Sequence, residues 1–203
     1  VSPNEHFNWL MNHELVHIAT VDGAARPDRR ARTFFGGKVY PNNDDPESIL
    51  YFYLTAPRIS SPGWYMEGIA VFLETWMAGG QGRAQGPYDE MVFRSMVRDG
   101  SRFYDPLGLV SEGIKIDFQV EVNSYLYGAR FMTYLGYRYS PEDVIRWVSR
   151  HDGSKAYYTK NFEAVFGLPL VKAWADWIVF EKEFQNANLE AIRKYPTTPY
   201  KDL

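Results

Sequence analysis

Cysteine is absent from all 203 residues. That excludes disulfides, thiolate metal ligands and a cysteine nucleophile. It leaves the compartment open, since such a chain survives in reducing and oxidising surroundings alike. An excess of basic charge is also missing: 22 Lys and Arg face 25 Asp and Glu, for a net charge of −3. The electrostatic footprint of a nucleic-acid binder is therefore not there. No apolar run reaches the length of a membrane span, and no signal peptide is visible. No internal repeat or low-complexity tract interrupts the chain. A Gly-x-Ser-x-Gly elbow is lacking too, which disfavours a Ser-His-Asp hydrolase. Strand signals are scarce, with the best alternation at Ile114 to Val122.

What is plentiful is ring. Aromatic residues make up 17%, with 15 Tyr, 13 Phe and 6 Trp, and the economical reading is a core and cleft built from large side chains. Apolar content of 45% and charged content of 23% are ordinary for a soluble globular protein. The expected architecture is mainly α, a single domain over residues 1–194 with a linker or tail at 195–203. Helices are expected from Asn4 to Thr20, Asp45 to Thr55, Pro62 to Met77 (Ser61 as N-cap), Tyr88 to Asp99 and Phe118 to Tyr137. A further helix follows Ser140-Pro141-Glu142-Asp143 to Arg150, and Thr159 to Lys194 holds one short and one long helix. The polar, basic stretch from Val21 to Asp44 reads as a loop, residues 101–117 as irregular, and Gly79 to Pro87 as a loop at the rim of a cleft.

Residues 13–17 read His-Glu-Leu-Val-His. Two His at i and i+4 stand on one helix face, one turn apart, where both imidazoles can meet one ion. Glu14 points about 100° further round the helix, so it lies beside the ion rather than on it. From there its carboxylate can take a proton from a water at the metal. Phe7, Leu10, Leu15, Val16 and Ile18 make the segment apolar and point to a buried helix. His6 and His151 fit no ligand pattern. The longer metzincin pattern needs a His at position 23, which is Gly23, and that class is excluded.

A catalytic zinc site needs a third protein ligand and one open position. Glu67 and Glu74 stand two turns apart in the run from Pro62 to Glu74, among Trp64, Tyr65, Met66, Ile69, Phe72 and Leu73. Two carboxylates in such surroundings are costly without a cation or donors. An ion at Glu67 and a ligand imidazole N–H at Glu74 satisfy both. Gly68 and Ala70 are small, and are expected to let this helix approach the His helix closely.

His-Glu-Leu-Val-His, followed by Trp-Tyr-Met-Glu-Gly-Ile-Ala-Val-Phe-Leu-Glu at 64–74, resembles the gluzincin zinc metallopeptidases. It is most similar to the aminopeptidase N and leukotriene A4 hydrolase group and to the related peptidase-MA-like domains. The resemblance spans roughly residues 5 to 150. It implies a helical zincin catalytic domain, a Zn2+ cofactor held by His13, His17 and Glu67, Glu14 as general base, and Glu74 as partner of a ligand His. A third piece is Tyr125-Leu-Tyr-Gly128: in the aminopeptidases a Tyr three residues before a Gly donates to the oxyanion. That match implies Tyr125, with Tyr127 as competitor. The expected activity is hydrolysis of a peptide or protein substrate by a zinc-activated water. Two features of the aminopeptidases are lacking: the Gly-x-Met-x-Asn signature, and the β-rich subdomain that precedes the His helix. Flanking domains in a longer protein fit that pattern. Two other readings stand beside this one: a zinc hydrolase of a non-peptide substrate, and a non-catalytic helical interaction module. Glu14 beside both His speaks against the second, since a structural zinc has no use for that carboxylate.

Overall fold

The computed structural model describes residues 3–77, 79, 82–110 and 122–196, side chains of residues 3–6 and 85 excepted. These form ten α-helices and one 3-10 turn, with no strand among the described residues, so the chain is mainly α. The helices are α1 (Pro3–Asp22), α2 (Arg26–Phe35), α3 (Ser48–Thr55), α4 (Gly63–Met77), α5 (Pro87–Arg98), α6 (Pro106–Val110), α7 (Val122–Arg138), α8 (Pro141–Val148), α9 (Tyr158–Phe166) and α10 (Leu170–Ile192). The 3-10 turn, Arg83–Gln85, lies between α4 and α5. Of the alternating segment at 114–122, residues 114–121 lie outside the described residues, and Val122 opens α7. No described helix is long and apolar enough to cross a membrane.

Helix α4 is the spine. Trp64, Tyr65, Gly68, Ile69, Ala70, Val71 and Phe72 are buried all round it, as expected of a helix packed on several sides. It lies chiefly against α7 and α1. Around its first turn the aromatic residues gather: Trp64 meets Trp174 at 4.9 Å, and Phe131 meets Trp174 at 4.6 Å between ring centroids. Each fully buried ring contributes about 1.5–3 kcal/mol of transfer free energy. The two Ser-Pro start signals, at Ser61-Pro62 and Ser140-Pro141, held to within a residue. Ser140 Oγ accepts the Asp143 backbone N–H at 3.1 Å ahead of α8. At α4 the Pro62 carbonyl accepts the Met66 N–H at 3.2 Å, so Pro62 rather than Ser61 holds the half-in position.

Four expectations need correction. The stretch from Val21 to Asp44 is not all loop, because α2 runs through it. Its helix is polar and shows no apolar stripe to the eye; it is held by Asp28, whose Oδ2 accepts the Ala25 N–H at 2.8 Å. The buried Asp28 carboxylate also takes two hydrogen bonds of 2.7 Å from Arg150. Residues 106–110 within the irregular stretch form α6. Helix α1 is not buried: Phe7 is 61% exposed, Leu10 58% and Ile18 57%, Met11 and Leu15 are exposed as well, and Val16 is the apolar residue that faces the core. These exposed positions share one face at i, i+4, i+8 and i+11, opposite the face that docks on α4.

Gly68 is the fourth. It serves the contact of α4 with α7, not with the His helix. A Cβ on Gly68 would lie 2.6 Å from the Gly128 carbonyl carbon, and one on Gly128 would lie 2.1 Å from the Trp64 carbonyl oxygen. The two backbones touch at this glycine pair, which fixes how close α7, with Tyr125, comes to α4, with Glu67.

Candidate metal centre

Helix periodicity places the ligand candidates before any packing is considered. His13 and His17 are one turn apart on the face of α1 that meets α4, and Glu67 and Glu74 project from the facing side of α4. The structure brings His13 Nε2 within 3.1 Å of His17 Nε2 and 3.1 Å of Glu67 Oε2, with His17 Nε2 3.4 Å from the same oxygen. Glu74 Oε2 accepts from His13 Nδ1 at 2.8 Å. That bond leaves the neutral His13 ring with its lone pair on Nε2, facing His17 Nε2 and Glu67 Oε2. Either a proton on one of the three atoms or a metal ion between them lets such a group sit at hydrogen-bond distance.

The shape fits a metal. Four ligands set tetrahedrally about 2.0–2.1 Å from an ion are separated by roughly 3.3–3.4 Å, and the three edges here are 3.1, 3.1 and 3.4 Å. Two imidazoles and a carboxylate make an N,N,O donor set that zinc accepts. His13, His17 and Glu67 form the group able to hold a metal among the described residues. The side chains of His13, His17, Glu67 and Glu74 are only 12–23% exposed, so the site is shielded but not sealed.

With protons as the cations, the electrostatics follow the same geometry. Hydrogen bonds donated to Glu67 and then to Glu74 raise His13 to about 9 against the opposing effect of burial. Burial pushes Glu67 up, but hydrogen bonds from His13 and His17 outweigh it and hold the carboxyl at about 2. Glu67 is thus ionised, as a metal ligand must be.

Glu14 stands on the exposed side of α1, outside the triad. Its charge still bears on Tyr125. Tyr125 comes from α7. Its ring stacks on His13 with centroids 6.1 Å apart and planes 19° apart, and its hydroxyl helps to hold the Glu67 carboxyl down. Burial, then the Glu67 charge, pushes the phenol up to about 12, so it stays protonated and able to donate. Tyr127, about 200° further round the helix, goes into the core. Its hydroxyl accepts the Tyr104 N–H at 3.3 Å and its ring lies against Phe93 and Trp177. Of the remaining His, His151 Nδ1 accepts the Gly153 N–H in a local turn, and His6 falls where side chains are not described.

One residue at this site escaped the sequence reading. The Arg83 guanidinium lies over the Tyr125 ring, 5.1 Å from its centroid. The four glycines of its loop drew attention to flexibility, and nothing in the linear pattern joins position 83 to position 125.

No protein-family model, curated protein or solved structure matches the chain. Local geometry therefore carries the functional reading.

The outer carboxylate gives a direct test. Glu74→Ala removes the acceptor on His13 Nδ1 but no ligand, and is expected to weaken metal affinity by about 10–100-fold. Competition against a chromophoric chelator measures this. Unchanged affinity would show that Glu74 does not orient His13.

Proposed function

We propose that this chain is a zinc-dependent peptidase of the gluzincin type. The observation that carries the reading is the convergence of His13, His17 and Glu67 at tetrahedral spacing, with Glu14 exposed on the helix that carries the two His. A purely structural ion needs the first three and not the fourth. When bound, zinc supplies a Lewis acid that acidifies a water and polarises a carbonyl.

The chain's own groups do the rest. Glu14 takes the proton of the attacking water and returns it to the leaving amine. Tyr125, held protonated beside Glu67, turns its hydroxyl from that carboxylate to the oxyanion that develops on the substrate. Glu74 fixes the ring and tautomer of His13, so that Nε2 faces the metal.

The deciding measurement is metal content per chain after reconstitution at neutral pH, with Glu67→Ala beside the wild type. About one zinc in the wild type, lost in the mutant, together with hydrolysis of a peptide panel by the wild type alone, is the expected result. No retained zinc, or iron in its place (the same donor set serves non-haem iron), would overturn the hydrolytic reading. A panel that also contains esters and epoxides separates a peptidase from a hydrolase of other substrates.

A further inference from the structure

Arg83 is built into the site more firmly than a surface arginine. Its backbone is stitched to the end of α4: the Ala84 N–H donates to Thr75 Oγ1 at 3.1 Å. At position 82 a Cβ would lie 2.4 Å from that same oxygen, so the turn lies flat on Thr75 only because Gly82 has none. Ala84 packs with Val71, Ala129 and Tyr125. From this anchored turn the side chain runs over Tyr125. Its Nε donates to Asp89 Oδ1 at 3.3 Å, and Asp89 is only 1% exposed. Asp89 sits in the first turn of α5, where the helix N-terminus favours a negative charge.

That arrangement uses one edge of the guanidinium and leaves the other. Neither Nη has an acceptor among the described residues, and the Arg83 side chain is 34% exposed. A guanidinium fixed through Nε presents its two Nη groups as a planar fork, the shape that takes a carboxylate with two parallel hydrogen bonds. The location is equally specific. Steps of 5.1 Å from Arg83 to the Tyr125 ring and 6.1 Å from that ring to His13 place the fork within about three extended residues of the metal triad. An anionic group entering here otherwise meets Glu14, Glu67 and Glu74, all of like sign, so a fixed cation decides where it settles.

We propose that Arg83 is the specificity residue of this site and reads a carboxylate on the substrate, within one to three residues of the cleaved bond. The substrate class is then an acidic peptide: the carboxylate is either the C-terminus or an Asp or Glu side chain. This rests on the peptidase reading above, and the experiment separates the two.

Zinc-loaded wild type, Arg83→Met and Arg83→Lys are compared on matched peptides. One pair differs as C-terminal acid and amide, the other as Asp or Glu against Asn or Gln flanking the bond. In the wild type, kcat/KM for one carboxylate form is expected to exceed its neutral twin by about tenfold or more. Arg83→Met is expected to bring that ratio close to one, and Arg83→Lys to restore part of it. The ratio is internal to each variant and therefore indifferent to a general loss of activity. The pair that shows the preference identifies the source of the carboxylate. The same peptides are titrated calorimetrically into Glu14→Gln protein with and without Arg83→Met, which reads binding without turnover. A carboxylate taken by the metal alone would bind Arg83→Met as well as the wild type, and that result overturns the proposal. So does a wild type that treats both members of both pairs alike. If no peptide is hydrolysed yet acid-over-amide binding persists and vanishes in Arg83→Met, the peptidase reading fails and the carboxylate site stands.

Discussion

Glu14→Gln is expected to bind zinc at wild-type stoichiometry and to lose hydrolytic activity by about 10²–10⁴-fold. Glutamine keeps the shape and length of the side chain and gives up its basicity. Glu14 is exposed and stands apart from the metal triad, so the substitution leaves His13, His17 and Glu67 undisturbed. Metal analysis and initial rates on one peptide check both halves. Full activity in the mutant would rule out Glu14 as the base, and loss of zinc would mean that it belongs to the ligand set instead.

Gly128→Val is expected to cost about 3 kcal/mol or more, because what it displaces is backbone. Its Cβ would lie 2.1 Å from the Trp64 carbonyl oxygen, with Gly68 Cα at 2.8 Å. Neither can swing aside as a side chain would. Relief requires α7 to move off α4, which opens the aromatic core around Trp64 and draws Tyr125 away from Glu67. For a chain of this size the loss corresponds to a fall in melting temperature of roughly 6–12 °C. Thermal unfolding followed by circular dichroism measures it. A melting point within about 2 °C of wild type would show that the two helices do not cross at this glycine pair.

The candidate site was legible where its logic is local. His13 and His17 share one helix, and their spacing alone puts them on one face. Glu67 and Glu74 stood out as carboxylates in an apolar run, and the structure places both against His13. Tyr125 was preferred to Tyr127 on the resemblance alone; their opposite directions on α7 put Tyr125 beside His13 and Tyr127 in the core. What escaped depends on contacts between distant positions. Asp28 and Arg150 pair across 122 positions, and without that partner the polar α2 reads as loop. Gly68 announced a close approach but not to which helix, since a missing side chain carries no address. The exposure of α1 was hidden for a related reason: apolar residues signal a surface to be covered, and the described residues cover only one side of it.

A chain without cysteine has no covalent cross-link of its own, yet an ion at His13, His17 and Glu67 would supply an equivalent. An ion shared by His13 and Glu67 would tie together positions 54 apart in sequence, and closing a long loop removes entropy from the unfolded ensemble much as a disulfide does. Helix α1, whose principal neighbour is α4 and whose outer flank is apolar and wetted, is the element that this tie restrains. Chelation should then act first as an uncoupling of α1 from the body. Protease susceptibility near residues 22–25 and loss of the ion would rise along the same time course, and the rate of metal exchange would be set by the opening of that helix.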